Sequence, residues 1–399
     1  MFLQPLLDRN FQFISSAVQL HQKGEIDANT YVFDLETVTS NAKLLSEKGQ
    51  SLGVDVIAMT KQAGRNPDFC RAVKSGGISG SVAVDYECGV YSHAAGLKIS
   101  HIGHLVQIPK SQISRAFDLE PALWTVFSLE QARDIARIAA EHSEIVNVSL
   151  RVWDEECTFY KGHEGGFHAS EVLDVAKQLS SLKNLRLAGV TSFPALLFDK
   201  ESKQLKVTKN AELIRRMAEN LEDFLGYKLI RNMPGTTSVE GIEMLAKAGA
   251  TQVEPGHGLT GTTPLSAVIE TIEKPAIAYV TEVMHHHQGR AFVLGGGLYM
   301  DPVLGDIPTK AAVFTDSGDF EILEADMPNP GAIDYYAALS PNKNGSLPPI
   351  GSTVIFGFRP QVFVSRGMTV GSENCSSKPK ALHHYGSSGA KTLVRDGSR

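Results

Sequence analysis

The chain has 399 residues, 42% of them hydrophobic and 21% charged, with a formal net charge of −6. That length calls for two domains, or for one large barrel with an appendage. The mild acidity gives no footing for a nucleic-acid or membrane-surface partner.

In chain order, residues 1–30 read as a helical arm, with Phe2, Leu3, Leu6, Leu7, Phe13, Ile14, Val18 and Leu20 at roughly helical spacing. Asp8 and Arg9 interrupt the start too early for a signal peptide, and no later run is apolar for long enough to span a bilayer. Cys70, Cys88, Cys157 and Cys375 lie far apart, which predicts free thiols in a reducing cytoplasm. Tyr31 to Leu35 is a short strand and Ser40 to Lys48 a helix. From Val56 a strand–helix rhythm begins, with apolar, β-branched runs at 56–60, 78–84, 99–105, 123–127, 146–152, 185–193, 227–233 and 251–254. Asn66-Pro67 starts one helix and Gly76-Gly77 stops it. Ser128-Leu-Glu-Gln131 is a capping box, Ser170 opens a helix to about Leu182, and residues 209–224 are amphipathic.

Near-continuous apolar strands alternating with helices predict a parallel sheet covered by helices. The eight runs match an α/β fold of the (β/α)8 barrel type, a TIM barrel, over residues 31–275. A doubly wound sheet would want a glycine fingerprint after its first strand, and Lys61-Gln-Ala-Gly-Arg65 is not one. Beyond residue 275 the pattern turns to hairpins, around His285-His-His-Gln-Gly289 and Asp316-Ser-Gly-Asp319, and then to the alternation of 352–366. Residues 276–399 therefore form a C-terminal β domain, whose polar tail past Gly371 receives no assignment.

A lysine at the tip of the first strand, Lys61, either snorkels to water or pairs with a carboxylate, or else acts as a nucleophile toward an aldehyde. In a barrel every strand's C-terminal end faces one mouth, and the loops after the seventh and eighth strands commonly hold a phosphate. Gly235, Thr236, Thr237 and Ser238 offer backbone N–H groups and hydroxyls at a helix start, Gly256 permits close backbone approach, and His257 adds a donor. Each loop alone also reads as a plain turn. Their convergence with Lys61 suits pyridoxal 5′-phosphate.

Asp34-Leu35, the strand ending in Lys61, Val84-Asp85, Ile102-Gly-His-Leu105, Gly189-Val-Thr-Ser-Phe193 and Glu254-Pro-Gly256 together resemble the fold type III pyridoxal-phosphate proteins. These are the alanine racemase and ornithine/diaminopimelate decarboxylase superfamily. Met59-Thr-Lys-Gln62, Gly103 to Pro109, Glu254-Pro-Gly-His257 and Leu259-Thr-Gly261 resemble its YhfX-type branch. The resemblance implies Lys61 bonded to the cofactor's aldehyde and an amino-acid-like substrate. It also implies a head-to-tail homodimer in which each β domain completes the partner's site. Racemases set an arginine against the pyridine nitrogen, where this chain has Glu254, as in the decarboxylases; a carboxylate there keeps the nitrogen protonated. His104 is the candidate to stack on the ring, or else a hydrogen-bonded loop histidine. In Gly295-Gly-Gly-Leu-Tyr-Met-Asp301, Tyr299 is similar to the racemases' catalytic tyrosine, or else a packing residue, with Tyr335 and Tyr336 in reserve. The racemases' substrate-binding arginine is replaced by Glu164, which leaves Arg65, Arg151 and Arg359 as alternatives.

No metal is expected, since the aldolase-type ligands are missing from Phe358 to Phe363 and a polar hairpin turn explains His285 to His287. The expected activity is racemisation or epimerisation at the Cα of an amino acid. Decarboxylation, or another lyase reaction, is the alternative, as is a non-catalytic cofactor carrier, which would have no need of a second domain bearing Tyr299.

Overall fold

The expected strands close into a parallel barrel in the computed structural model, which describes residues 2–299, 308–315, 318–329 and 331–392. The first stave comprises Asp55–Val56 and Ala58–Met59, interrupted only at Ile57. Gly80–Ala83, Lys98–Ile102, Trp124–Val126, Val146–Trp153, Leu185–Thr191, Ile230–Asn232 and Gln252–Val253 follow as the second to eighth. Closure is explicit in the register: the first stave pairs with the second at Ala58↔Ser81 and with the eighth at Val56↔Val253. The amides of Asp55, Ile57 and Met59 donate to the carbonyls of Thr251, Val253 and Pro255 at 2.9–3.0 Å, so the ladder runs through the interruption.

Local chemistry starts and stops the covering helices. Asp85 accepts from the Cys88 amide at 2.7 Å and Ser128 from the Gln131 amide at 3.2 Å, each satisfying an amide that the first turn leaves without a partner. Gly226 ends Lys209–Leu225 in the left-handed conformation, φ 77°. The helix expected from Ser170 begins instead at Val172, because the Ser170 hydroxyl is drawn to Nδ1 of His168 at 2.7 Å.

The chain divides into two compact units. The barrel unit comprises Ala42–Thr60 and Gly77–Gly258; the second comprises Met1–Asn41, Lys61–Gly76 and Leu259–Arg399. The second unit is built on a sheet in which Ile277–His287, Arg290–Leu294, Tyr336–Leu339, Phe320–Asp326, Thr309–Phe314 and Thr353–Phe356 pair in a closed ring. His285, His286 and His287 lie within the first of these strands rather than in its turn, which is Gln288-Gly289. Asp316 and Ser317 of the second expected hairpin lie outside the described residues.

Three departures from expectation share one cause. The strand Thr30–Asp34, read above as part of the barrel segment, belongs to this β sheet, antiparallel to Ile277–His287 and parallel to Met368–Glu373. The polar tail supplies that last strand and Lys380–Tyr385 beside it. The N-terminal residues form two helices, Leu3–Arg9 and Phe11–Gln22, and are no free arm. Leu6, Phe13, Ile14, Ala17 and Leu20 pack on Val32, Val280, Phe314, Ile355 and Val370 of the sheet. An apolar stripe states that a face will be covered, and the covering partner is chosen at long range.

Candidate active site

A buried polar cluster gathers where the third, seventh and eighth strands of the barrel end. Glu254 follows the eighth strand directly and is 4% exposed; His101, inside the third strand, and His104, just past it, are fully buried. Nε2 of His104 stands 2.8 Å from Oε2 of Glu254, and Nδ1 of His101 stands 3.4 Å from Oε1. Asn232 ends the seventh strand and donates Nδ2 to Oε1 of Glu254 at 2.9 Å. The His104–Glu254 pair is close but out of line, so Oε2 of Glu254, both nitrogens of His104 and Nδ1 of His101 complete no regular hydrogen bond.

Burial favours a neutral Glu254, but the neighbouring imidazoles outweigh it and hold the carboxyl well below the usual carboxylate range. Burial also lowers the His104 imidazole, against the pull of Glu254. At neutral pH Glu254 is therefore an ionised carboxylate beside a neutral His104 ring. Arg151, on the fifth strand, is 1% exposed and lies 5.0 Å from the centroid of the Phe127 ring. Its Nη1 donates to the carbonyl of His104 at 2.6 Å and its Nη2 to that of His163 at 2.7 Å, while Nε has no partner. Burial draws the guanidinium down to about 10, which leaves it charged at neutral pH.

The loops after the seventh and eighth strands touch. A Cβ on Gly258 would meet the Thr237 carbonyl at 2.6 Å, and one on Gly235 the Leu196 carbonyl at 2.5 Å, so both backbones approach as only glycine allows. Ser238 caps Val239–Lys247, accepting from the Gly241 amide at 3.0 Å. The Thr236 amide is spent on the Leu196 carbonyl at 3.0 Å and the Thr237 amide on the Gly235 carbonyl at 2.9 Å. An anion here would thus depend on the helix start and on hydroxyls more than on those two amides. Gly256 and His257 are buried in the adjoining loop.

Lys61 and Tyr299 fall in the second unit. Lys61 follows Thr60, whose hydroxyl lies 2.9 Å from that of Ser92, and opens a short turn with its Nζ 5.0 Å from the centre of the Phe363 ring. Of the other arginines considered, Arg65 lies 5.9 Å from the same ring centre. Tyr299 follows Gly295–Gly297, a segment held by Asp334, whose Oδ2 accepts from the amides of Gly296 at 2.9 Å and Leu298 at 3.1 Å. Tyr299, Tyr335 and Arg366 share the lining of a cavity of about 550 Å³. Met300 and Asp301 lie outside the described residues. Among the described residues, the metal-capable group is Asp34, Glu36 and Cys375, all in the second unit.

Sequence reasoning missed His101 and Asn232. The available signal was a histidine between Ile99 and Ile102 of a strand, three residues before His104.

Residues 33–264 match the family described as alanine racemase, N-terminal domain, and residues 278–382 match the YhfX-like C-terminal domain. An uncharacterised protein of Escherichia coli K12, YhfX, is 34% identical over 373 residues, which are 93% of this chain and 94% of that protein. The fold is similar to that of D-threonine aldolase from Filomicrobium marinum, with TM-score 0.64 at 14% identity over 91% of this chain and 95% of that one. It is also similar to an alanine racemase of Clostridium difficile 630 in complex with cycloserine, with TM-score 0.61 at 16% identity over 90% and 98%.

Proposed function

The chain belongs to the alanine racemase family, and on that premise we propose that it is a pyridoxal-phosphate enzyme acting at the Cα of an amino acid, as a racemase or epimerase. The observation that carries the reading is the set of buried, incompletely bonded polar atoms around Glu254: its own Oε2, both nitrogens of His104 and Nδ1 of His101. Such atoms are costly in a finished core and are expected where a polar ligand completes them. An ionised carboxylate with a lone pair open fits the N–H of a pyridinium, and close-approach glycines beside a capped helix start fit a phosphate. The donor set therefore suits the cofactor.

When bound, pyridoxal phosphate supplies a ring that withdraws negative charge from Cα. In this reading Lys61 holds the cofactor's aldehyde carbon, and Glu254 holds the proton on the ring nitrogen. His104 fixes Glu254 and borders the ring. Gly235, Thr236, Thr237, Ser238, Gly256 and His257 hold the phosphate, and the Tyr299 phenol moves the proton at Cα. Arg151 holds the His104 carbonyl and the loop of His163 together, so its Nη1 and Nη2 are already engaged.

Decarboxylation is the second reading, and Glu254 favours it, because an ionised partner to the ring nitrogen suits a demanding carbanion. The proposed assembly is the head-to-tail homodimer. Ile333, Tyr335 and Val364, 65%, 59% and 63% exposed beside the cavity that Tyr299 lines, support a covered face there.

The test is incubation of cofactor-loaded protein with L- and D-amino acids in deuterated water. Deuterium at Cα with appearance of the mirror-image acid establishes the racemase. Loss of the carboxyl group as CO₂ establishes the second reading, and no exchange with any acid rejects both.

A further inference from the structure

We propose that His101 and Asn232 are positioning residues for Glu254, turning its carboxylate so that Oε2 is left to receive an N–H from a heteroaromatic ring. The inference rests on the cofactor reading above and assigns the residues that make Glu254 fit for it.

Barrels of this type usually fill their interior with layers of branched aliphatic side chains. Here Asp55, Gln252, Asn232, Thr191, Thr125, His101 and Glu254 form a polar path through the barrel unit. Nε2 of Gln252 donates to Oδ2 of Asp55 at 2.9 Å, and Nδ2 of Asn232 to Oε1 of Gln252 at 3.0 Å. The Thr191 hydroxyl donates to Oδ1 of Asn232 at 2.7 Å. Asp55, at the solvent end, offers a carboxylate that accepts, so the Gln252 NH₂ must face it and the Gln252 carbonyl must face Asn232. The Asn232 NH₂ is then turned toward both Gln252 and Glu254. The sense of each bond is thus set from the exposed end and arrives at Oε1 of Glu254 as a donor.

His101 reaches the same oxygen from the other side. Its Nε2 lies 2.5 Å from Oγ1 of Thr125, and its Nδ1 lies 3.4 Å from Oε1 of Glu254. If Nε2 accepts from Thr125, a singly protonated ring carries its proton on Nδ1, the nitrogen next to Glu254. Oε1 therefore holds a regular bond from Asn232 and has Nδ1 of His101 beside it, at 3.4 Å and short of a regular bond. Oε2 has only the misaligned His104, whose carbonyl is held by Arg151. A path that merely stapled strands together would have no need to deliver a regular donor to one oxygen and leave the other without one, and an apolar core would be cheaper.

The experiment has two arms. In cofactor-free protein labelled with ¹⁵N-histidine, the neutral tautomer of His101 should carry its proton on Nδ1; a proton on Nε2 in that tautomer overturns the proposal. In protein loaded with ¹⁵N-pyridoxal phosphate, the ring nitrogen should be protonated at neutral pH. In His101→Leu and in Asn232→Leu its apparent pKa should fall by about one unit or more, a roughly tenfold loss of preference for the charged form. His101→Asn, which keeps a donor near the place of Nδ1, should restore most of it. An unchanged ring nitrogen in both leucine variants overturns the positioning role and leaves the cofactor reading standing. Wild-type protein that takes up no cofactor overturns the cofactor reading, and with it the ring contact proposed here.

Discussion

At the scale of single residues, the proposed chemistry turns on Lys61, Glu254 and His104. Lys61 sits directly after a buried, hydrogen-bonded Thr60, so its backbone is anchored where the side chain begins. Borohydride reduction of cofactor-loaded protein followed by peptide mapping should place the pyridoxyl group on Lys61; any other lysine rejects its role. His104 also makes stability depend on pH. Its imidazole is lowered by burial, so the unfolded chain binds a proton more readily than the folded one. The stability contributed by neutral His104 is fully present above the ordinary histidine range and declines as pH falls through about 6.5. The depressed Glu254 acts in the same sense, at still lower pH. The melting temperature of the wild type should therefore drop between pH 7.5 and 5.5, and that drop should shrink in His104→Gln. Equal drops in the two proteins would show that His104 is not the titrating group.

At the scale of elements, the helix Pro67–Ser75 ties down the segment that begins at Lys61. Asn66 is fully buried; its Oδ1 accepts from the amides of Asp68 at 2.8 Å and Phe69 at 3.0 Å, and its Nδ2 donates to the Thr369 hydroxyl at 3.0 Å. One side chain thus caps a helix and fastens it to the strand Met368–Glu373. Just before it, Gly64 has φ 63°, and a Cβ there would meet Val362 at 2.9 Å and the Ser387 carbonyl at 3.0 Å, so this turn accepts no larger residue without displacement. Asn66→Ala removes the cap and leaves buried partners unmatched, and should destabilise the protein by about 2 kcal/mol, the upper end for a lost N-cap. Chemical denaturation measures it; a loss within error of zero would show that water replaces the amide.

At the scale of the whole molecule, the proposed dimer predicts a concentration-dependent assembly. Sedimentation should give twice the monomer mass, 86.4 kDa from the chain's 43.2 kDa. Ile333→Glu with Val364→Glu should shift it toward monomer, since each places a charge in a desolvated contact. A wild-type protein that sediments as monomer at all accessible concentrations rejects the assembly. No helix among the described residues is long and apolar enough to cross a membrane.

What the sequence determined by itself was the local grammar. The eight strand runs, the Asn66 and Ser128 caps and the hairpin at Gly289 were legible because periodicity, capping and turn chemistry act over a few residues. Glu254 and His104 stood out through the resemblance of their segments to the pyridoxal-phosphate family. Their meeting at 2.8 Å was not legible, nor was the bond from Asn232 to Oε1 of Glu254 or the place of His101 beside it. The two histidines stand more than a hundred positions from Glu254 in the chain and Asn232 stands 22 positions from it, on different strands, and only closure of the barrel decides their meeting. The same limit governs Thr30–Asp34, whose β-forming residues announce a strand but not its neighbours, and Arg151, whose charge is legible although its two carbonyl partners are not. A burial pattern specifies which face is hidden; the tertiary structure alone specifies what covers it.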